Sequence, residues 1–182
     1  QDKKTFQFAN TGVFSEATVV KGRRAVPISK DVPWASASLI GCGVLTGVGA
    51  VLNRARVGQG ESALVVGIGG IGLNVISGLA LVGAYPVIAV DTNPAKEKIA
   101  REFGATHFIN AAEADTAEAV KEIVPNGVAF AFECVGHPAI IRQSIDLLDW
   151  GGTAVILGVP KLGTEASFVV QGMYNDKTIM GC

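Results

Sequence analysis

Only three cysteines, two histidines and two methionines occur in 182 residues, and acidic and basic side chains nearly cancel to a net charge of −1. Cys42, Cys134 and Cys182 are too few and too scattered for a disulfide framework, so a reducing, cytoplasmic setting is expected. Near-neutrality leaves no basic footprint for nucleic acid or anionic lipid, and neither partner is expected. The polar start, QDKKTFQFAN, is unlike a signal peptide, and no apolar run is expected to reach the roughly 20 residues of a membrane span. Charged residues make up 17% against 49% hydrophobic, which excludes a disordered chain and points to a large interior. No internal repeat, low-complexity tract or linker is visible. The length suits one well-buried core and would cramp a complete two-domain enzyme. Without an initiator methionine, and with the strand-like TIMGC as its last residues, the chain reads as a piece of a longer protein.

What is present is a rhythm. Residues 1–30 carry short β-like stretches, TFQFA and EATVV, among glycines and basic residues, and composition changes near 30–33. DVPWASASLIGCGVLTGVGAVLNRARV then reads as a helix, with an early proline and with Arg54 and Arg56 suited to a helix C-terminus. Its glycines lower helix propensity, so close packing against another backbone is the expected reason for them. From residue 60 onward strands and helices alternate. SALVVGIG, PVIAVD, HFIN, GVAFAFECVG, TAVILGV and KTIMGC are the strand candidates. GIGLNVISGLALVGA, NPAKEKIAREFGA, ADTAEAVKEIV and PAIIRQSIDLLDWGG are the helices between them. Apolar strands alternating with helices predict an α/β fold: a doubly wound, six-stranded parallel sheet of Rossmann type. The expected organisation is a short β-rich segment at 1–32 and a nucleotide-binding domain at 33–182.

Within LVVGIGGIGL, Gly67, Gly69 and Gly72 form G-x-G-x-x-G directly after a strand and at the opening of a helix. Gly67 permits the tight turn, Gly69 lets a pyrophosphate approach the backbone, and Gly72 lets helix and strand pack closely. The helix start, Gly70 included, offers unpaired N–H groups to phosphate. Asp91 closes the second strand nineteen positions beyond Gly72. A carboxylate there accepts from both ribose hydroxyls and repels a 2′-phosphate, favouring NAD over NADP. Thr92 and Asn93 supply no arginine for an extra phosphate, and Lys96 is in reach of the same ribose. Other readings stay open at this level: Asp91 as a helix cap or turn residue, Lys96 as a solvated surface residue, and a methyltransferase fold with similar glycines.

GCGVLTGVGAVLNRARVGQGESALVVGIGGIGLNVISGLALVGA, followed by VIAVDTNPAKEKIAREFGATHFIN, resembles the zinc-containing medium-chain alcohol dehydrogenases. The likeness is nearest to the class III branch of thiol-dependent formaldehyde dehydrogenases and runs from about residue 14 to the end. It implies that 1–32 is a remnant of a GroES-like catalytic domain and that 33–182 is an NAD-binding domain truncated at its C-terminus. It also implies that Cys42 ligates a catalytic zinc, which needs three protein ligands. The partners, an earlier cysteine and a histidine in a G-H-E stretch, are absent, since His107 and His137 both lie in the nucleotide region. Without the resemblance, Cys42 among small residues reads as a buried hydrophobe.

The same resemblance implies further contacts. Thr46 stands beside the nicotinamide and Ile71 presses on its ring. Cys134 and Val135 form the apolar wall of the adenosine pocket, with His137 near the adenine. Leu157, Gly158 and Val159 run along the nicotinamide side, and the backbone of Cys182 holds the carboxamide. For Cys134 and Leu157 packing alone is an equal reading, and Glu133 is read as structural. The implied activity of the intact parent is hydride transfer between NAD and a primary alcohol, or a hemithioacetal-type adduct, with zinc. The implied partners are a small alcohol or aldehyde and further copies of the chain, as a dimer or tetramer. This chain by itself is expected to bind NAD without turnover. Alternatives are a zinc-free quinone or enoyl reductase, a polyol dehydrogenase, and a non-catalytic dinucleotide-binding module.

Overall fold

Six short runs become strands in the computed structural model, which describes residues 12–182. They are β1 (Ala63–Val66), β2 (Val87–Asp91), β3 (His107–Asn110), β4 (Val128–Glu133), β5 (Leu148–Ile156) and β6 (Thr178–Gly181). All pairings are parallel and the order is β3-β2-β1-β4-β5-β6, the doubly wound sheet expected from the alternation. The helices are α1 (Trp34–Ala55), α2 (Gly70–Val82), α3 (Glu97–Glu102), α4 (Thr116–Ile123) and α5 (Pro138–Asp146).

Side chains along each strand alternate between two cores because successive Cβ atoms point to opposite faces. Ala63 and Val65 of β1 join Val87 and Ala89 of β2 on the face covered by Val51 of α1 and by Val75, Ile76 and Leu79 of α2. Leu64, Val66, Ile88 and Val90 face the other way, against Val120 of α4 and Ile145 of α5. Both faces are therefore apolar and covered, as a parallel sheet requires. The order reverses between β1 and β4, and that switch point opens a crevice at the strands' C-terminal ends.

The chain divides into two compact units, Gln1–Ala37 and Ser38–Cys182. In the first, EATVV forms no strand, and ahead of the start of α1 the described residues form a 3₁₀ turn at Gly22–Arg24. Val19 and Val20 lie exposed there. A single extended run without a neighbour leaves its backbone groups to water, so β-propensity alone does not make it a strand. The matching expectation for TFQFA falls outside the described residues.

Two other differences concern α1 and the entry to β5. α1 runs 22 residues and holds an 18-residue stretch with a mean hydropathy of 1.8, enough to cross a membrane by length and composition, contrary to the expected absence of such a run. Glycine, serine and threonine break its apolar pattern to the eye, yet no charged residue interrupts 34–53. Its Gly47, Ala50 and Val51 are buried, with Gly78 of α2 in close approach to Val51. The second difference is at LLDWGG, read as the end of a helix. The helix stops at Asp146 and the chain enters β5, with Leu148 beside Val128 and a register irregularity before Phe130. Leu147 and Leu148 are drawn into the core, while Gly151 takes a left-handed φ of 71° that an irregular strand can use.

Candidate dinucleotide site

β1 ends in the glycine turn. Gly67 has φ 91°, in the region that favours glycine, and a Cβ there would lie 2.7 Å from Val135 Cγ2. A Cβ on Gly72 would collide with the carbonyl oxygen of Gly67, so this glycine welds α2 to the turn. Gly69 differs from both. Its φ of −93° suits any residue, and nothing lies within 4 Å of a Cβ placed on it. Neither backbone strain nor packing within the chain calls for glycine at that position. Gly70 begins α2, also in open space, and with no side chain capping that start the first N–H groups of the helix lack an intrahelical partner.

Asp91 stands at the end of β2, held from three directions. Its Oδ2 accepts from the Ile68 N–H of the glycine turn and from Lys96 Nζ, both at 2.8 Å, and its Oδ1 accepts from the Asn93 N–H at 3.0 Å. Burial pushes its carboxyl pKa up. The hydrogen bonds from Lys96, Asn93 and Ile68, with the Lys96 charge, outweigh that and hold it below its ordinary value. Three of about four acceptor positions are filled, leaving room on Oδ1. Capping of the next turn falls to Asn93, whose Oδ1 accepts from the Ala95 N–H.

Beside this carboxylate lies a cavity of about 360 Å³. Gly67, Asp91 and Thr92 form one wall, and Val135 and His137 the other. Thr116, Ile140 and Gln143 line it as well. His137 caps α5 by accepting the Ala139 N–H at Nδ1. Cys134 packs against the core, and burial, with the Glu133 carboxylate beside it, pushes its thiol up to about 12. Leu157 is buried in the core and its N–H is taken by the Glu133 carbonyl, which also accepts from Gly158. Val159 is exposed. Cys42 is exposed on a wide, π-type turn of α1, Ile40–Val44, with Thr46 half-buried a turn later. Cys182 is exposed at the end of β6. The expected residues thus fall into two groups: a compact set around Gly67, Asp91, Lys96, Val135 and His137, and the residues of α1 and of the strands beyond β4.

Glu133, read from the sequence as structural, is so here, while Asn74, Gly47 and Ile140 have no individual role in the sequence reading. Glu133 is completely buried, and its Oε1 accepts from the Val135 and Gly136 N–H groups at 2.9 and 2.8 Å. With its carbonyl serving Leu157 and Gly158, one residue fastens the loops after β4 and β5. Asn74 of α2 donates to the Gly70 carbonyl at 2.8 Å and meets α1 at Gly47, where a Cβ would fall 2.5 Å from the Asn74 Cβ and 2.7 Å from the Ile71 carbonyl. Close packing thus explains Gly47, whereas a Cβ on Gly41 would meet nothing within 4 Å. Ile140 was findable, because it lies three residues after His137 on the same helical face.

A glycine turn between strand and helix and an acid at the end of the second strand define a dinucleotide-binding domain of the doubly wound class. A family model described as zinc-binding dehydrogenase matches residues 70–182, and the chain belongs to that family. S-(hydroxymethyl)glutathione dehydrogenase of Paracoccus denitrificans is 38% identical over 172 residues, covering 89% of this chain and 45% of that protein. Alcohol dehydrogenase-like 7 of Arabidopsis thaliana is 36% identical over 183 residues, covering 97% and 46%. Among solved structures, benzyl alcohol dehydrogenase from Acinetobacter calcoaceticus superposes with a TM-score of 0.83 at 39% identity, covering 86% of this chain and 44% of that one. A zinc-binding dehydrogenase structure from Sinorhizobium meliloti 1021, bound to NADP, gives 0.69 at 30% identity, covering 76% and 41%. The chain therefore spans less than half the length of these relatives.

Proposed function

We propose that this chain is the NAD-binding portion of a zinc-dependent alcohol dehydrogenase, the intact protein transferring hydride between NAD and a primary alcohol or hemithioacetal-type adduct. The observation that carries the reading is Asp91, a carboxylate fixed at the cavity rim beside a glycine turn whose Gly69 opens onto empty space. One ribose hydroxyl donates to the free position on Oδ1. A second reaches Oδ2 as Lys96 turns to donate to the hydroxyl oxygen. The diphosphate lies against Gly69 and the first N–H groups of α2, and the adenine enters between Val135, His137 and Ile140. Bound NAD supplies the hydride-accepting ring, and the chain's own work is to bind and orient it. Cytoplasmic residence and self-association as a dimer or tetramer belong to the same reading, as does the segment before α1 as a remnant of a catalytic domain.

The described residues do not make a zinc site. No group of three His, Cys, Asp or Glu side chains among them could hold a metal, and Cys42 would supply one thiolate. The chain alone is expected to bind cofactor without oxidising alcohol. Titration with NADH and NADPH, followed by calorimetry, tests the cofactor assignment. NADH binding at least about tenfold more tightly is the expected result, since a 2′-phosphate would face a buried-edge carboxylate. Tighter binding of NADPH would defeat it.

A further inference from the structure

We propose that Arg54 is a positioning residue for the nicotinamide half of the cofactor, acting by fixing the C-terminal end of β6. The proposal rests on the NAD-binding reading above. Arg54 lies in the last turn of α1, where a basic residue has a routine role against helix carbonyls. Its side chain goes elsewhere: Nε donates to the carbonyl oxygen of Gly181 at 2.8 Å, across 127 positions of sequence.

Gly181 ends the edge strand, which among the described residues pairs with β5 alone. Past the ladder, the Cys182 N–H reaches the Ile156 carbonyl at a long 3.2 Å. Among the described residues, Arg54 adds to that bond a fastening from a different layer of the fold.

A doubly wound sheet seats one nucleotide over each half, at the C-terminal ends of the strands. Asp91 marks the adenosine half at β1–β2. The other half lies over β4, β5 and β6, where Ile156 and Gly181 pair. The helix that carries Arg54 also crosses α2 at Gly47, one residue after Thr46 and against the Ile71 carbonyl. The Arg54 bond closes this frame by joining the α1 end to the strand end on the nicotinamide side. Losing it frees that edge and leaves the turn at 67–72, Asp91 and the adenosine cavity as they were.

ADP-ribose, which has everything in NADH except the nicotinamide ring, separates the two halves. Calorimetric titration of both ligands is compared for the wild-type chain, R54A and R54K, with folding checked by circular dichroism. Arg54 is exposed, so R54A keeps the fold. Wild type is expected to bind NADH more tightly than ADP-ribose. R54A weakens NADH by about threefold to tenfold, the worth of one hydrogen bond, and leaves ADP-ribose within about twofold. R54K, which keeps a donor, recovers most of the loss. A variant that lowers both ligands equally makes Arg54 a general attractor of the diphosphate, and one that lowers neither makes the bond irrelevant. Each result overturns the proposal, as does a wild type indifferent to the nicotinamide ring. A wild type that binds neither NADH nor ADP-ribose defeats the NAD reading itself, and this inference with it; one that binds NADH and no ADP-ribose keeps that reading and overturns this inference, since the adenosine half then does not bind on its own.

Discussion

The first βαβ unit and the helix ahead of it are built to different degrees of completion. Around Ala63–Asp91 the packing and polar demands are met within the chain: the turn is locked at Gly72, and Asp91 is held by Ile68, Asn93 and Lys96. Along α1, Cys42 is exposed, and Leu39, Ile40, Leu45 and Leu52 present apolar surface to solvent. One region satisfies its groups with its own residues, while the other leaves a thiol and apolar side chains exposed. A tightly held turn and a solvent-facing thiol can therefore stand in adjoining parts of one fold.

The sharpest way to break the contrast is inside the turn itself. Gly72→Ala drives a methyl group into the Gly67 carbonyl and is expected to cost about 3 kcal/mol of stability, read by chemical denaturation. Asp91→Ala is expected to leave the fold intact and weaken NADH roughly tenfold to a hundredfold, because a charge-assisted contact disappears. NADPH is expected to lose less, so the preference narrows. Gly69→Ala separates binding from folding. The change leaves stability equal or about 0.5 kcal/mol higher, and lowers NADH affinity by at least about tenfold as the methyl meets the diphosphate. Unchanged affinity there would remove the reason for glycine at 69.

Smaller effects concern charge and thiols. Asp91 has a lowered pKa in the folded chain, so its contribution is complete above the ordinary carboxylate range and is lost only as pH falls through the lower, folded value. Lys96→Met removes the main partner. The acid limb of NADH binding should then move to higher pH, and an unmoved limb would deny Lys96 its role. Brief alkylation at mildly alkaline pH, mapped by mass spectrometry, is expected to mark exposed Cys42 and Cys182 and to spare Cys134, whose thiol is pushed up to about 12.

What could be read in advance followed local rules. Alternation of β-branched strands with helices is a property of consecutive residues, and so is a glycine spacing that follows a strand. The turn at Gly67 and the acid at Asp91 were legible for that reason. The work of Glu133 was not, because its partners are main-chain N–H groups, which look alike at every position of a sequence. The Gly47–Asn74 crossing likewise depends on where two helices meet. Arg54 carried a local explanation, a basic helix end, and its observed partner lies far along the chain. β5 began early because the pull of Leu147 and Leu148 toward the core outweighed the helical pattern before them.

The left-handed bend at Gly67 and the jammed contact at Gly72 have a kinetic consequence. Amide dipoles that cannot swivel need no rearrangement when an anion arrives, so no loop has to close before capture. Association with a diphosphate should then proceed at a rate set by diffusion and ionic strength, and the lifetime of the complex will carry the differences in affinity among variants.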